Sequence, residues 1–213
     1  MVKHRIAALA GVLVLTVLSI NGCQGVKKDS GASGGNETAE EEVIETEAGE
    51  EPEVGMGNPW VEITEEEAKK YCDRLFKAPP GAKDQEWLKC EELGDPEKGV
   101  QPMIQLSFEL DGLYFTARAQ QGAAEDADIS GLYTEWTAGP DDVTLANWGG
   151  GNMAGKTCRS VNDSGYIDLI TWYDVEIGIK YSLSTASDDL DGFDIQAVAE
   201  QMYSEENEPY TGP

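Results

Sequence analysis

The clearest alternation of apolar and polar positions in this chain runs through residues 104–120. Asp111-Gly112 is a dipeptide suited to a two-residue hairpin turn that needs positive φ. Folding there pairs Leu110 with Leu113, Phe108 with Phe115, Leu106 with Ala117 and Ile104 with Ala119, all apolar. The other face pairs Glu109 with Tyr114, Ser107 with Thr116 and Gln105 with Arg118. A slip of one residue would scramble both faces, so the alternation predicts the register as well as the hairpin. Further strands are expected at residues 132–137, 143–146, 167–173 and 179–185, the last two joined by a tight turn near 176–178. Residues 85–93 are ambiguous between helix and strand and read better as strand.

Helical spacing appears at both ends of this region. Ile195, Val198, Ala199 and Met202 fall at i, i+3, i+4 and i+7, the stripe of a helix opening near Asp194. Upstream, Thr64 with Glu67 forms a capping box, and Glu65 to Glu67 place negative charge where a helix N-terminus favours it. That pattern predicts a short helix through about Arg74, before Pro79-Pro80-Gly81 interrupts regular structure. Strands joined by short turns with a helix at each end imply one α+β domain over residues 58–213. The expected architecture is a mainly antiparallel sheet with the N-terminal and C-terminal helices packed on one face.

The segment before it reads differently. Lys3, His4 and Arg5 precede an apolar run from Ile6 to Leu18, then Ser19, Ile20, Asn21, Gly22 and Cys23. A spanning helix needs about 20 apolar residues; this run is shorter and ends in small and polar residues, the layout of a cleaved signal. The stretch Leu18-Ser19-Ile20-Asn21-Gly22-Cys23 resembles the lipobox of bacterial lipoproteins. That resemblance implies a signal peptide over 1–22, acylation of Cys23 and a membrane-anchored protein on the extracytoplasmic face. Each buried acyl CH₂ contributes about 0.8 kcal/mol. Residues 23–57, from the lipidated Cys through a stretch rich in Gly, Ser, Thr and Glu with no apolar period, read as a disordered acidic linker.

Charge narrows the partners. The formal net charge is -26, and loss of Lys3 and Arg5 with the signal would take it to -28. Nucleic acid is excluded as a partner, since neutralising phosphates needs a basic patch and none is present. The membrane is then reached through the lipid anchor, and the protein or cell-wall glycan partner is left open.

Candidate chemistry is sparse. Gly150-Gly151-Asn152-Met153-Ala154-Gly155-Lys156-Thr157 satisfies the phosphate-binding loop pattern, with Gly150, Gly155, Lys156 and Thr157 at its defining positions. Such a loop must open a helix, but Asn162, Asp163, Ser164 and Gly165 follow too soon, and too little chain remains for parallel strands with crossover helices. The match is therefore read as a glycine-rich surface loop, with no cofactor. His4 is the one histidine, so once the signal is gone neither Ser-His-Asp nor Cys-His catalysis can be assembled. Cys72, Cys90 and Cys158 match no zinc spacing; in an oxidising exterior one disulfide is expected, with Cys72 and Cys90 favoured by nearness in sequence. Asp189 and Asp191 resemble the start of a calcium loop, but Val198 occupies the twelfth position, where a bidentate Glu is required. A polar turn with Asp191 or Asp194 capping the last helix fits better. Trp60, Trp87, Trp136, Trp148 and Trp172 are read first as core and sheet residues, with stacking on sugar rings as the alternative.

Asp128-Ile129-Ser130-Gly131-Leu132-Tyr133, Thr171-Trp172-Tyr173, Tyr181-Ser182-Leu183-Ser184 and the closing run from Asp189 through Gly192-Phe193-Asp194 to Tyr203 resemble a family of lipoproteins of unassigned role from clostridia and related gut bacteria. More distantly, the tryptophan strand, the Tyr-rich strand and the final helix are similar to a domain found in extracytoplasmic parts of sigma-factor regulators. The resemblance implies an exported antiparallel α+β domain and carries no catalytic residues. Two functions are expected: a tethered, non-catalytic binding or sensing module, or a cell-wall or carbohydrate-binding protein, a hydrolase using Asp and Glu included.

Overall fold

A computed structural model describes residues 58–205. The signal segment 1–22 and the whole linker 23–57, Cys23 included, lie outside the described residues, as does the C-terminus beyond Glu205. Eight strands form one antiparallel sheet: β1 (Trp60–Ile63), β2 (Lys83–Cys90), β3 (Met103–Leu110), β4 (Leu113–Gln121), β5 (Ala138–Leu145), β6 (Met153–Asn162), β7 (Gly165–Asp174) and β8 (Ile179–Ser187). Their order is β1-β2-β3-β4-β8-β7-β6-β5, two four-stranded meanders joined where β4 meets β8. Two short helices, α1 (Glu65–Ala68) and α2 (Ile195–Gln201), complete the α+β architecture. No described helix is long and apolar enough to cross a membrane.

The β3–β4 hairpin adopts the expected register at every pair from Ile104 with Ala119 to Leu110 with Leu113. Asp111 and Gly112 both take positive φ, 52° and 82°. One face of the sheet carries the core. Ile104, Leu106, Phe108, Phe115, Ala117 and Ala119 lie in one apolar cluster with Ile170, Trp172, Tyr181 and Leu183, and with Ile195, Val198, Ala199 and Met202 of the predicted helical stripe. Asp194 caps α2, its carboxylate accepting from the amide of Ala197. At the centre the Tyr181 ring stacks on Trp172 at 5.1 Å and meets Trp148 edge-on at 5.1 Å, while its hydroxyl donates to the carbonyl of Arg74 at 2.6 Å. Glu200 ties the β5–β6 loop to α2, its carboxylate accepting from the amides of Ala146 and Asn147.

Four expectations need correction. The capping box forms, but α1 ends at Ala68 and not near Arg74. Beyond it the chain is drawn into tertiary bonds: the amide of Asp73 donates to the Gln121 side chain at 2.9 Å, Arg74 pairs with buried Asp174, and the amide of Lys77 donates to the carbonyl of Met202 at 2.9 Å. Residues 132–137 are not a strand. A local side-chain bond takes the place of a ladder at its start, with Ser130 Oγ accepting from the Leu132 amide at 3.2 Å, and only at its end does Thr137 reach β6, its amide donating to the Arg159 carbonyl at 2.9 Å and its Oγ1 accepting from the Val161 amide at 3.1 Å. Of the stretch read as a glycine-rich surface loop, residues 150–152 are a turn but 153–157 belong to strand β6. Cys72 and Cys90 are free thiols, as is Cys158. Cys72 belongs to the core cluster, whereas Cys90 alternates with core-facing Trp87 and Lys89 and faces the other way.

Candidate functional site

Strand alternation sends a second set of side chains to the face opposite the core, and one long row of that set is polar. At one level of the ladder Asp142, Lys156, Thr171, Ser182, Arg118 and Gln105 stand side by side across β5, β6, β7, β8, β4 and β3. The next level pairs Tyr173 with Lys180 and Lys180 with Gln120. A polar row this long must be solvated or covered by polar groups. Residues 122–137, which link β4 to β5, provide that cover by crossing over this face.

Side chains of the sheet hold the crossover in place along its length. Lys180 Nζ donates to the carbonyl of Glu125 at 2.8 Å. Arg118 donates from Nη1 to the carbonyl of Ile129 at 3.2 Å and from Nε to Gln105 Oε1 at 2.9 Å. Thr134 Oγ1 and Ser160 Oγ lie 3.0 Å apart. Ile129 and Ser130 are the buried residues at the middle of the segment. Asp128 steadies it from within, its Oδ1 accepting from the Ser130 amide and hydroxyl at 2.9 and 2.7 Å.

Between this cover and strands β5 to β8 lies a cleft of about 860 Å³. Asp142 and Thr144 of β5, Lys156 of β6, Thr171 and Tyr173 of β7 and Lys180 of β8 form its floor. Glu125, Asp126, Asp128 and Trp136 of the crossover form its rim and roof. Its size suits an organic ligand, and its lining mixes apolar surface with a few convergent polar groups. Lys156 and Asp142, cross-strand neighbours, approach to 3.7 Å while both remain largely exposed. Lys180 is 9 % exposed. Burial pushes its pKa below the ordinary lysine value; Glu125, Asp128 and Asp126 pull the other way, and the like charge of Lys156 adds to the lowering. An ammonium has three donors, and the Glu125 carbonyl accepts one of them.

The phosphate-loop residues separate here. Gly150 lies in the exposed turn before β6, while Gly155, Lys156 and Thr157 lie within that strand and open no helix. Gly155 answers to packing: a Cβ there would stand 3.1 Å from the Thr171 carbonyl and 3.3 Å from Val143 Cγ2. Lys156 reaches the cleft and Thr157 points to the core face beside Ile170. Asp189 and Asp191 sit in the turn before α2, with Asp189 Oδ1 accepting from the Asp191 amide at 2.9 Å. No group of three or more His, Cys, Asp or Glu side chains among the described residues is placed to hold a metal ion.

No family model, curated protein or solved structure matches the chain. The site is therefore defined by its own geometry. In the sequence Trp136 is one of five tryptophans with sugar stacking as the alternative reading and Lys156 belongs to the phosphate-loop match, whereas Lys180 and Asp142 lie in no motif. The signal for Lys180 was present in its strand, where Lys180, Ser182 and Ser184 alternate with Ile179, Tyr181 and Leu183.

A smaller cavity of about 320 Å³ lies on the core side between β5, β6 and the start of α2. Arg159 fills its polar side, clasping Asp168 from Nε and Nη2 at 2.6 Å each and donating to the Leu190 carbonyl at 3.1 Å. These donors are committed to the fold, so the larger cleft is the candidate site.

Proposed function

We propose that this chain is a binding module of the extracytoplasmic face, tethered through acylated Cys23 and the acidic segment after it, that holds a small hydrophilic ligand in the cleft beneath residues 122–137. The lipobox-like Leu18–Cys23 run and the acidic linker support the tether. The single observation that supports the binding role is the cleft itself: about 860 Å³, floored by rigid strands and roofed by a segment that the sheet pins through Lys180. Sites built on strands hold their geometry better than sites on loops. Two features support binding over catalysis: signal cleavage would leave no histidine, and Lys156 and Asp142 are exposed neighbours rather than an oriented proton-transfer pair.

A thermal-shift screen of the purified full chain in detergent against muropeptides, neutral and charged glycans, Ca²⁺ and ATP tests this reading. A ligand that binds only the folded state raises the melting temperature, by roughly 2.7 kcal/mol of stability at a hundredfold excess over Kd. At least one organic ligand is expected to do so. A shift with ATP that vanishes in Lys156→Ala would instead revive the nucleotide reading.

A further inference from the structure

We infer that the cleft selects a neutral saccharide over charged ligands, an inference that rests on the binding role proposed above. Four observations carry it. The first is the balance of charge: Lys156 and Lys180 are opposed by Glu125, Asp126, Asp128 and Asp142. In a chain of net charge -26 this excess repels an anion, while two ammonium groups facing the same space oppose a cation. A hydroxyl group escapes both penalties because it donates one hydrogen bond and accepts others, so it fits between a carboxylate and an ammonium.

The second is the spacing of such a pair. Lys156 Nζ and Asp142 Oδ1 stand 3.7 Å apart, close enough for one sugar hydroxyl to accept from the lysine and donate to the aspartate. The third is Lys180, buried with one of its three donors taken by the Glu125 carbonyl and two left for acceptors at the cleft. The fourth is aromatic surface. Trp136 and Tyr173 are half-buried at the same cleft, and the C–H face of a pyranose packs against such rings while its hydroxyls meet the polar rim. The volume accommodates more than one sugar unit, which favours a short oligosaccharide.

Calorimetric titration of the full chain in detergent with matched trisaccharides tests the inference. The probes are cellotriose, maltotriose and N-acetylated chitotriose as neutral forms, trigalacturonate as the anion and deacetylated chitotriose as the cation. At least one neutral probe is expected to bind at least tenfold tighter than either charged one. Trp136→Ala and Lys180→Met should each weaken that binding roughly tenfold. Asp142→Asn alters a side chain that is 91 % exposed, so it leaves folding intact, and it should weaken binding several-fold. Preference for trigalacturonate or the deacetylated probe would overturn the inference and leave the binding role standing. Neutral binding untouched by all three variants would overturn it by locating the sugar elsewhere. If no trisaccharide binds while another compound shifts the melting temperature, the ligand class is wrong and the module reading survives; if nothing binds in either experiment, both fall.

Discussion

Lys180 Nζ on β8 donates to the Glu125 carbonyl at 2.8 Å, so a central strand reaches through the polar face to hold the segment that roofs the cleft. Replacing it with Met keeps the stem and removes the bond. One such bond contributes about 1 kcal/mol, and its loss should speed amide exchange over residues 123–128 roughly fivefold. Hydrogen exchange read by mass spectrometry checks this, with the β3–β4 hairpin as internal control.

The same lysine makes a pH signature. Burial lowers its folded pKa below the ordinary 10.5. Between the lowered value and 10.5 the unfolded chain binds more protons than the folded one, so this group's contribution to stability rises with pH through that window. Lys89 and Lys98 are shifted upward by their ion pairs and act in the opposite sense, so the difference between wild type and Lys180→Met is the informative quantity. Wild type is expected to gain on the variant as pH rises from neutrality towards 10.5. Urea titrations along that range measure it, and a falling difference would contradict a desolvated ammonium.

Arg159 and Asp168 face each other across β6 and β7 as a two-point ion pair, with the Asp168 side chain 4 % exposed. Asp168→Ala strands the guanidinium against the core side of the sheet and should cost about 2–3 kcal/mol, discounted because Arg159 keeps some access to water. Chemical denaturation reports the loss as a lower midpoint at unchanged slope.

Two positions of the phosphate-loop match should part company. Gly155→Val drives a branched side chain into Val143 and the Thr171 carbonyl and is expected to destabilise by about 1–3 kcal/mol. Lys156→Ala alters an exposed side chain and should stay within about 0.5 kcal/mol. Melting curves of the two variants decide it. Equal effects would mean that β6 is misplaced.

These residues also explain why some of the fold was legible in sequence and some was not. The β3–β4 hairpin could be read with its register because both faces satisfy the alternation and the turn takes its preferred dipeptide. Strand β6 could not, since its core-facing positions are Met153, Gly155, Thr157 and Arg159. One is apolar, one makes room for Trp172 and one faces the core side because Asp168 neutralises it. The first helix was overestimated because capping chemistry marks where a helix starts and tertiary bonds from Asp73 and Arg74 set where it stops. The cleft was legible only in fragments. Its floor follows from alternation, but its roof is an irregular crossover whose path over the sheet depends on long-range contacts from Lys180, Arg118 and Ser160.

Thiol chemistry provides a further check. Burial pushes the Cys72 pKa up to about 12, and Cys90 is 1 % exposed, whereas Cys158 is partly accessible although its pKa too is raised, chiefly by burial. Brief iodoacetamide treatment of the folded protein at mildly alkaline pH should label Cys158 first and leave Cys72 and Cys90 nearly untouched. In denaturant without reductant all three should be alkylated. Two missing adducts at Cys72 and Cys90 would mean that they are bridged.

The cleft under residues 122–137 is the ligand seat in this proposal. Hydrogen exchange of the full chain, with and without a compound that raises its melting temperature, tests it most directly. Protection is expected at residues 125–128, at Trp136 and along β5 to β8, with α2 and β1 to β3 unchanged. Protection confined to α2 and the core-side cavity, with the crossover exchanging as fast as before, would contradict it.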